Sequence, residues 1–232
     1  MSPKILTKDV SFFLRGRIAS YLAVSITFML TTHSVVTAKD LPDEKQQVEI
    51  ASLYLDLMKD MPKEATLINS PYPQAISVYG GAKAKIDNKS IIKGGRALRV
   101  KSGKPKRHAY SKGAKSATIN TFLPNDTLCL VYWARSINPP EENLTAGFAR
   151  VGVQQSKDPY EEVFSNSHDL SYEWAAYTQK GKAKKEFDAG EAEVFFHFGH
   201  LKQRFEIGPI YLFNLGANVD EGFESNACGK TP

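Results

Sequence analysis

The sequence has 232 residues, of which 42% are hydrophobic and 24% charged, and its 30 basic and 25 acidic residues give a formal charge of +5. Only two cysteines occur, Cys129 and Cys228, and neither lies near a second Cys or a His at metal-site spacing, which argues against a zinc module. Without the first 38 residues, 194 residues remain with 26 basic and 24 acidic side chains, enough for one domain with a sizeable core. That near balance argues against a nucleic-acid-binding protein.

The first 38 residues predict a cleavable signal peptide. Four basic residues lead into the apolar run from Ile18 to Leu30, which is shorter than the about 20 residues of a membrane-spanning helix but fits a secretory signal. Small residues precede Lys39, so we expect cleavage after Ala38. The alternatives are an uncleaved anchor or a buried N-terminal helix. Cleavage predicts a secreted or periplasmic protein with no integral membrane segment.

Residues 39–65 predict a helical arm. Apolar residues recur near helical spacing, acidic residues occupy the first turn, and Pro62 ends the helix. The apolar residues are Val48, Ile50, Leu53, Leu55 and Met58.

Residues 66–217 predict a β-domain. Short segments rich in β-formers alternate with turn signals such as Gly80-Gly81, Gly94-Gly95 and Gly208-Pro209. The predicted strands cover residues 75–79, 96–100, 117–122, 128–135, 148–154, 173–178, 191–198, 205–207 and 210–213. About nine strands without a long helix indicate an all-β fold, an antiparallel β-sandwich or jelly roll, preceded by the short helix.

Residues 218–232 form a predicted tail rich in Asn and Gly. In an oxidising compartment its Cys228 can pair with Cys129, which would close a long loop and hold the tail in place. Two free buried thiols are the alternative.

Four stretches in this order resemble a known family. They are residues 94–100 (GGRALRV), 125–136 (NDTLCLVYWARS), 170–177 (LSYEWAAY) and 194–200 (VFFHFGH) followed by 205–212 (FEIGPIYL). Their order and spacing are similar to those of carbohydrate-binding modules with the galactose-binding-like jelly roll, the type appended to xylanases and cellulases. The resemblance covers residues 75–215 and implies binding of a polysaccharide. Many such modules hold a structural calcium through an Asp near the last strand, but Gly208-Pro209 occupies that stretch here, so we expect neither calcium nor another cofactor.

Two predicted strands place an aromatic side chain beside a polar one on a single face. Trp133 and Arg135 are two residues apart and share one face, as do Phe195 and His197. This arrangement suits sugars, because they offer apolar C–H faces to rings and hydroxyls to polar groups. We expect the face bearing Trp133 and His197 to bind the glycan; the alternative is that these residues are buried structural ones. The other candidate ligand-binding residues are Gln154, Tyr160, Arg107 and Tyr110, whereas Trp174 is expected in the core.

The segment from Lys83 to Lys115 contains twelve Lys and Arg residues against the single acid Asp87. Such a cluster favours an anionic partner, here an acidic polysaccharide or a phosphate-bearing surface. The alternative is a set of solvated loops that keeps the protein soluble.

The residues show no nucleophile elbow, no zinc-protease motif and no phosphate loop. We therefore interpret the chain as an exported, non-catalytic protein that binds a polysaccharide, with acidic polysaccharides among the candidates. One alternative is a structural or interaction protein of the cell envelope with the same fold. Another is a polysaccharide lyase or hydrolase, although no motif places two carboxylates together.

Overall fold

Eleven strands in two antiparallel sheets form the framework of the described chain. The computed structural model describes residues 41–138, 145–219, 223 and 228, so the predicted signal peptide and most of the tail lie outside the described residues. From Pro42 onward these residues belong to one compact unit. The strands are β1 (Thr66–Leu67), β2 (Ser77–Tyr79), β3 (Lys83–Asp87), β4 (Ala97–Lys101), β5 (Gly113–Ala117), β6 (Thr127–Asn138), β7 (Gly147–Gln155), β8 (Glu162–Asp169), β9 (Ala175–Lys182), β10 (Ala192–His197) and β11 (Arg204–Asn214).

The first sheet has the order β3-β4-β11-β6-β9, with β1 paired to β11, and the second has the order β2-β5-β10-β7-β8. Sequence neighbours such as β10 and β11 lie in different sheets, as in a jelly roll. The predicted fold class, an antiparallel β-sandwich with a short N-terminal helix, is confirmed.

The core lies between the sheets and follows the period-two pattern of the strands. In β6 the side chains of Leu128, Leu130, Tyr132 and Ala134 are buried in it, and in β10 those of Val194 and Phe196. The core contains a polar pair, because the Tyr132 hydroxyl and His168 Nδ1 lie 2.6 Å apart. The alternate residues of β6 and β10 are therefore directed to the two outer faces.

The single α-helix among the described residues, α1 (Glu44–Met58), packs on the first sheet. Its first turn is capped by Asp43, whose Oδ1 accepts a hydrogen bond from the Gln46 amide at 2.8 Å. Ile50 and Leu53 are buried, and the Tyr211 hydroxyl of β11 donates to the Ile50 carbonyl at 2.9 Å.

The prediction of the apolar face of the helix is partly wrong. Val48 and Leu55 are 63% and 49% exposed, whereas the polar Gln46 is buried. The buried stripe runs through Gln46, Ile50 and Leu53 at helical spacing, which directs Val48 and Leu55 to the other side.

The predicted disulfide is confirmed. Cys129, on the outer side of β6, is bonded to Cys228 across 99 residues of sequence, and both side chains are fully buried. The Lys180 ammonium of β9 also donates to the Phe223 carbonyl. The described tail residues therefore contact the first sheet, on the same side as α1.

Several strand predictions fail. The sequence did not predict β1, β3 or β8; β3 and β8 are edge strands of their sheets, and their sequences are polar and alternate only weakly. The strand predicted at residues 117–122 lies earlier, at β5. Gly208-Pro209 is not a turn between strands but lies within β11, where the pairing with β6 shifts register between Ile207 and Ile210. Among the described residues no helix is long and apolar enough to cross a membrane.

Candidate functional site

The outer face of the first sheet is largely occupied by packing. Trp133 and Arg135 lie there on β6, and both are partly buried. Trp133 makes an edge contact with Tyr211, with ring centroids 6.1 Å apart. Gly208 of β11 provides space beside it, since a Cβ at that position would lie 3.3 Å from the Cβ of Trp133.

Arg135 belongs to an ion-pair network on that face. Its Nε donates to Glu206 Oε2 at 2.7 Å, and Arg99 donates to Oε1 of the same fully buried carboxylate at 2.8 Å. The Arg135 guanidinium also lies 5.1 Å from the centre of the Trp174 ring, which is partly exposed rather than in the predicted core. The Arg135 guanidinium thus contacts both the Glu206 carboxylate and the Trp174 ring.

The expectation that Trp133 and His197 share a binding face is wrong. Trp133 belongs to the first sheet and His197 to the second, and both are directed away from the core between them. The strand alternation of each segment was predicted correctly. The assignment of the two strands to different sheets is a property of the topology, which alternation within a strand does not reveal.

The outer face of the second sheet brings together most of the other predicted residues, and we call it the second-sheet face. One cross-strand row contains Tyr79, Gly113, His197 and Arg150. The next row contains Ser77, Lys115, Phe195, Gly152 and Ser165. The third contains Ala117, Glu193, Gln154 and Glu162. Among the described residues the helix and the tail both contact the first sheet, so this face presents its own side chains.

Three predicted ligand residues form the floor of this face rather than its surface. Phe195 is 0% exposed, Gln154 5% and His197 9%. The rings of Phe195 and His197 lie 4.5 Å apart, and Gln154 Nε2 donates to Glu193 Oε1 at 3.1 Å. These three side chains therefore expose little surface and support the residues packed around them.

The charged groups of the second-sheet face are arranged in ion pairs. Lys115 Nζ lies 3.0 Å from Glu193 Oε2, and the carboxylate of Glu193 is nearly buried. Arg150 donates to Glu162 and, through Nε at 3.0 Å, to the Ser165 hydroxyl. The formal charge of these four ionisable groups is zero, and their fixed geometry provides directed donors and acceptors.

Partly exposed tyrosines surround the floor. Tyr110 and Tyr160 are 59% and 52% exposed, and Tyr110 makes an edge contact with His197 at 6.4 Å. The Tyr79 hydroxyl lies over Gly113, since a Cβ there would come within 2.3 Å of it. Burial, with smaller effects from Glu193 and Tyr160, raises the pKa of Tyr79 to about 12, so its hydroxyl stays protonated and able to donate.

Burial also acts on His197. Together with the nearby positive charge of Arg150, it lowers the pKa of His197 to about 4. The imidazole is therefore neutral at physiological pH, with one nitrogen that donates and one that accepts a hydrogen bond.

Sequence reasoning missed Tyr79, Arg150, Glu162 and Glu193 as members of this face. A signal existed for Glu193, because it stands two residues before Phe195 and thus on the same side of β10. Arg107 and Tyr110 lie in the connection between β4 and β5. In the part of the chain that the structure describes, no group of three or more His, Cys, Asp or Glu residues is arranged to hold a metal ion.

Comparisons with known proteins find solved structures with a similar fold. No protein-family model and no curated protein sequence matches the chain. The fold is similar to that of the N-terminal cellulose-binding domain of Cellulomonas fimi β-1,4-glucanase C, at 20% identity over 67% of this chain and 94% of that one, with a TM-score of 0.41. It is also similar to the CBM22-1 xylan-binding domain of Paenibacillus barcinonensis Xyn10C, at 11% identity over 68% and 98%, with a TM-score of 0.45. A third similar structure is the C-terminal family 22 carbohydrate binding module of Clostridium thermocellum Xyn10B, at 15% identity over 65% and 95%, with a TM-score of 0.45.

Proposed function

We propose that this chain is an exported, non-catalytic carbohydrate-binding protein that binds a polysaccharide on the second-sheet face. The observation that supports the proposal most is the combination of partly exposed tyrosines with a pre-arranged polar floor on one sheet face. Tyr79, Tyr110 and Tyr160 offer rings for the apolar faces of sugar units. Arg150 and Lys115 offer donors for hydroxyl groups, and their side chains are 54% and 39% exposed.

The shape of the site favours a chain over a single sugar. The tyrosines are spread over the face, with Tyr110 beside His197 and Tyr160 in the turn after β7. Each contact is partly solvated and weak, so affinity must accumulate over several sugar units. Export is supported by the predicted signal peptide and by the disulfide, a bond typical of oxidising compartments.

The role of the carboxylates supports binding rather than hydrolysis. Glu193 and Glu162 are each engaged by a cation and a second polar group, which suits side chains that position others. Their charge also orients Lys115 and Arg150 on the floor of the site.

A panel of soluble polysaccharides in native affinity gels tests the proposal. We expect at least one neutral polymer, with β-1,4-xylan and β-1,4-glucan in the panel, to retard the mature protein, and Tyr110→Ala to weaken that retardation at least severalfold. Tyr172→Ala is the matched control, because Tyr172 is 55% exposed but lies between β8 and β9, next to Ser171, which is hydrogen-bonded to β6 of the first sheet. No retardation by any polymer, or equal losses in both variants, contradicts the proposed site. Release of reducing ends from a retained polymer contradicts the non-catalytic assignment.

A further inference from the structure

The basic cluster predicted from the sequence divides between the two sheets. Lys83 and Lys85 lie on β3, at the edge of the first sheet. Lys104, Lys106 and Arg107 lie in the connection from β4 of the first sheet to β5 of the second. We call residues 103–112 of this connection the basic loop.

The basic loop is held in place by specific hydrogen bonds. The Lys106 amide donates to the Gly199 carbonyl at 2.7 Å, and the Gly199 amide donates to the Ala109 carbonyl at 2.8 Å. The buried ammonium of Lys112 donates to the main-chain carbonyls of Ser102 and Lys104, each at 2.6 Å. A buried ammonium bonded in this way fixes the start of the loop against its end.

The basic loop lies at the His197 end of the second-sheet face. The rings of His108 and Tyr110 are stacked 5.0 Å apart, and Tyr110 contacts the edge of His197 at 6.4 Å. Arg107 directly precedes His108 in the chain and is exposed, so its main chain lies next to the aromatic end of the proposed sugar site.

The basic loop differs in charge from the face beside it. On the face, Lys115 pairs with Glu193 and Arg150 with Glu162. On the loop, the exposed side chains of Lys104, Lys106 and Arg107 form no ion pair with any residue that the structure describes within 4.0 Å. The site thus combines a face of zero formal charge with one positively charged end.

We propose that the basic loop binds carboxylate substituents of a polysaccharide whose uncharged main chain lies on the second-sheet face. This inference rests on the proposed function and specifies its ligand class. A polymer with a carboxylate on every unit would bring its charges against Glu193 and Glu162, whereas sparse substituents can reach the loop alone. Arg107 suits such a group because a guanidinium can donate two parallel hydrogen bonds to one carboxylate.

The test compares one polymer in two chemical forms. Glucuronoxylan is used as isolated and after its uronic carboxyl groups have been activated with carbodiimide and reduced with borohydride to primary alcohols, which removes the charge and keeps the main chain. We expect the wild-type protein to bind the unreduced form at least roughly fivefold more tightly in low salt, the scale of one or two solvated ion pairs. The preference should disappear at 1 M salt, where the Debye length falls to about 3 Å from about 10 Å at 0.1 M.

Two triple variants locate the effect. Replacing Lys104, Lys106 and Arg107 with Gln should remove the preference for the unreduced polymer and leave the affinity for the reduced form unchanged. The matched control replaces Lys83, Lys85 and Lys89 with Gln, the same loss of charge within the same basic cluster but next to the first sheet, and should keep the preference. Equal affinity of the wild type for both forms overturns the inference and leaves the proposed function standing. An equal effect of the two triple variants also overturns the inference and leaves the proposed function standing. If the wild type binds neither form, the inference is overturned, and the panel of polysaccharides described above tests the proposed function.

Discussion

Trp133 and His197 lie on the outer faces of opposite sheets, Trp133 on β6 of the first and His197 on β10 of the second. The sandwich core separates them, with Tyr132 of β6 and Phe196 of β10 in edge contact at 5.1 Å between the two strands. A ligand on one face therefore cannot contact both residues, and their contributions to stability and binding are separable.

We expect Trp133→Ala to lower stability and to leave polysaccharide retention unchanged. The ring packs against Tyr211 and beside Gly208 and is partly exposed. The loss in free energy of unfolding should therefore be about 2–3 kcal/mol, below the roughly 3–5 kcal/mol of a fully buried aromatic residue. Urea unfolding and affinity gels measure the two effects. A variant that keeps its stability but loses retention would move the site to the first sheet.

Glu206→Gln should be strongly destabilising. The carboxylate is fully buried and accepts hydrogen bonds from Arg99 and Arg135, whose side chains are 38% and 24% exposed. Breaking a buried ion pair costs about 3–5 kcal/mol, and partial exposure of both guanidinium groups should reduce this to about 2–3 kcal/mol. Asp87→Asn is the control, since Arg99 keeps its bond to Glu206, and it should cost less than about 1 kcal/mol. Urea unfolding that shows equal losses for both variants would contradict this account of the network.

Removal of the disulfide should destabilise the fold. The bond joins β6 to the tail across 99 residues. A native disulfide contributes about 2–4 kcal/mol. The double variant Cys129→Ala, Cys228→Ala, compared with the wild type by thermal unfolding with and without reductant, measures this contribution. Reductant should lower the unfolding temperature of the wild type alone, and an unchanged temperature in the wild type is the opposing result.

Stability should fall with acidification partly through His197. Because the pKa of His197 is lowered from its ordinary 6.5 to about 4, the unfolded chain binds a proton in this interval that the folded chain does not. The stability that depends on a neutral imidazole is complete above pH 6.5 and is lost as the pH falls to about 4; it amounts to about 3 kcal/mol. The measurement is urea unfolding of the wild type and His197→Gln at pH 7 and pH 4.5.

The variant should have the shallower pH dependence in that comparison. Burial also lowers the pKa of His168 and His200, so the variant retains part of the slope and only the difference reports on His197. Parallel pH profiles of the two proteins would show that His197 titrates normally in the folded state.

The side-chain alternation predicted within β6 and β10 agrees with the structure. Leu128, Leu130 and Tyr132 face the core, and the residues that alternate with them face outward, because neighbouring side chains of a strand point to opposite sides. The edge strand β8 was not predicted, because its sequence lacks this alternation. Only its buried residue, His168, contacts the core fully, so the hydrophobic alternation is weak.

Local periodicity and composition were enough to predict the all-β class, the helix before the sandwich, the core-facing sides of β6 and β10 and the two cysteines available for a bond. The packing of the sheets was needed to show that Trp133 and His197 belong to different faces, that α1 lies on the first sheet, and that Glu193 and Arg150 join Gln154 on the second. Pairing partners in an antiparallel sandwich are far apart in the chain, as Lys115 and Phe195 are, and their choice depends on how both sheets pack as a whole. The division of the basic cluster between the two sheets has the same origin, because the chain crosses from one sheet to the other between β4 and β5.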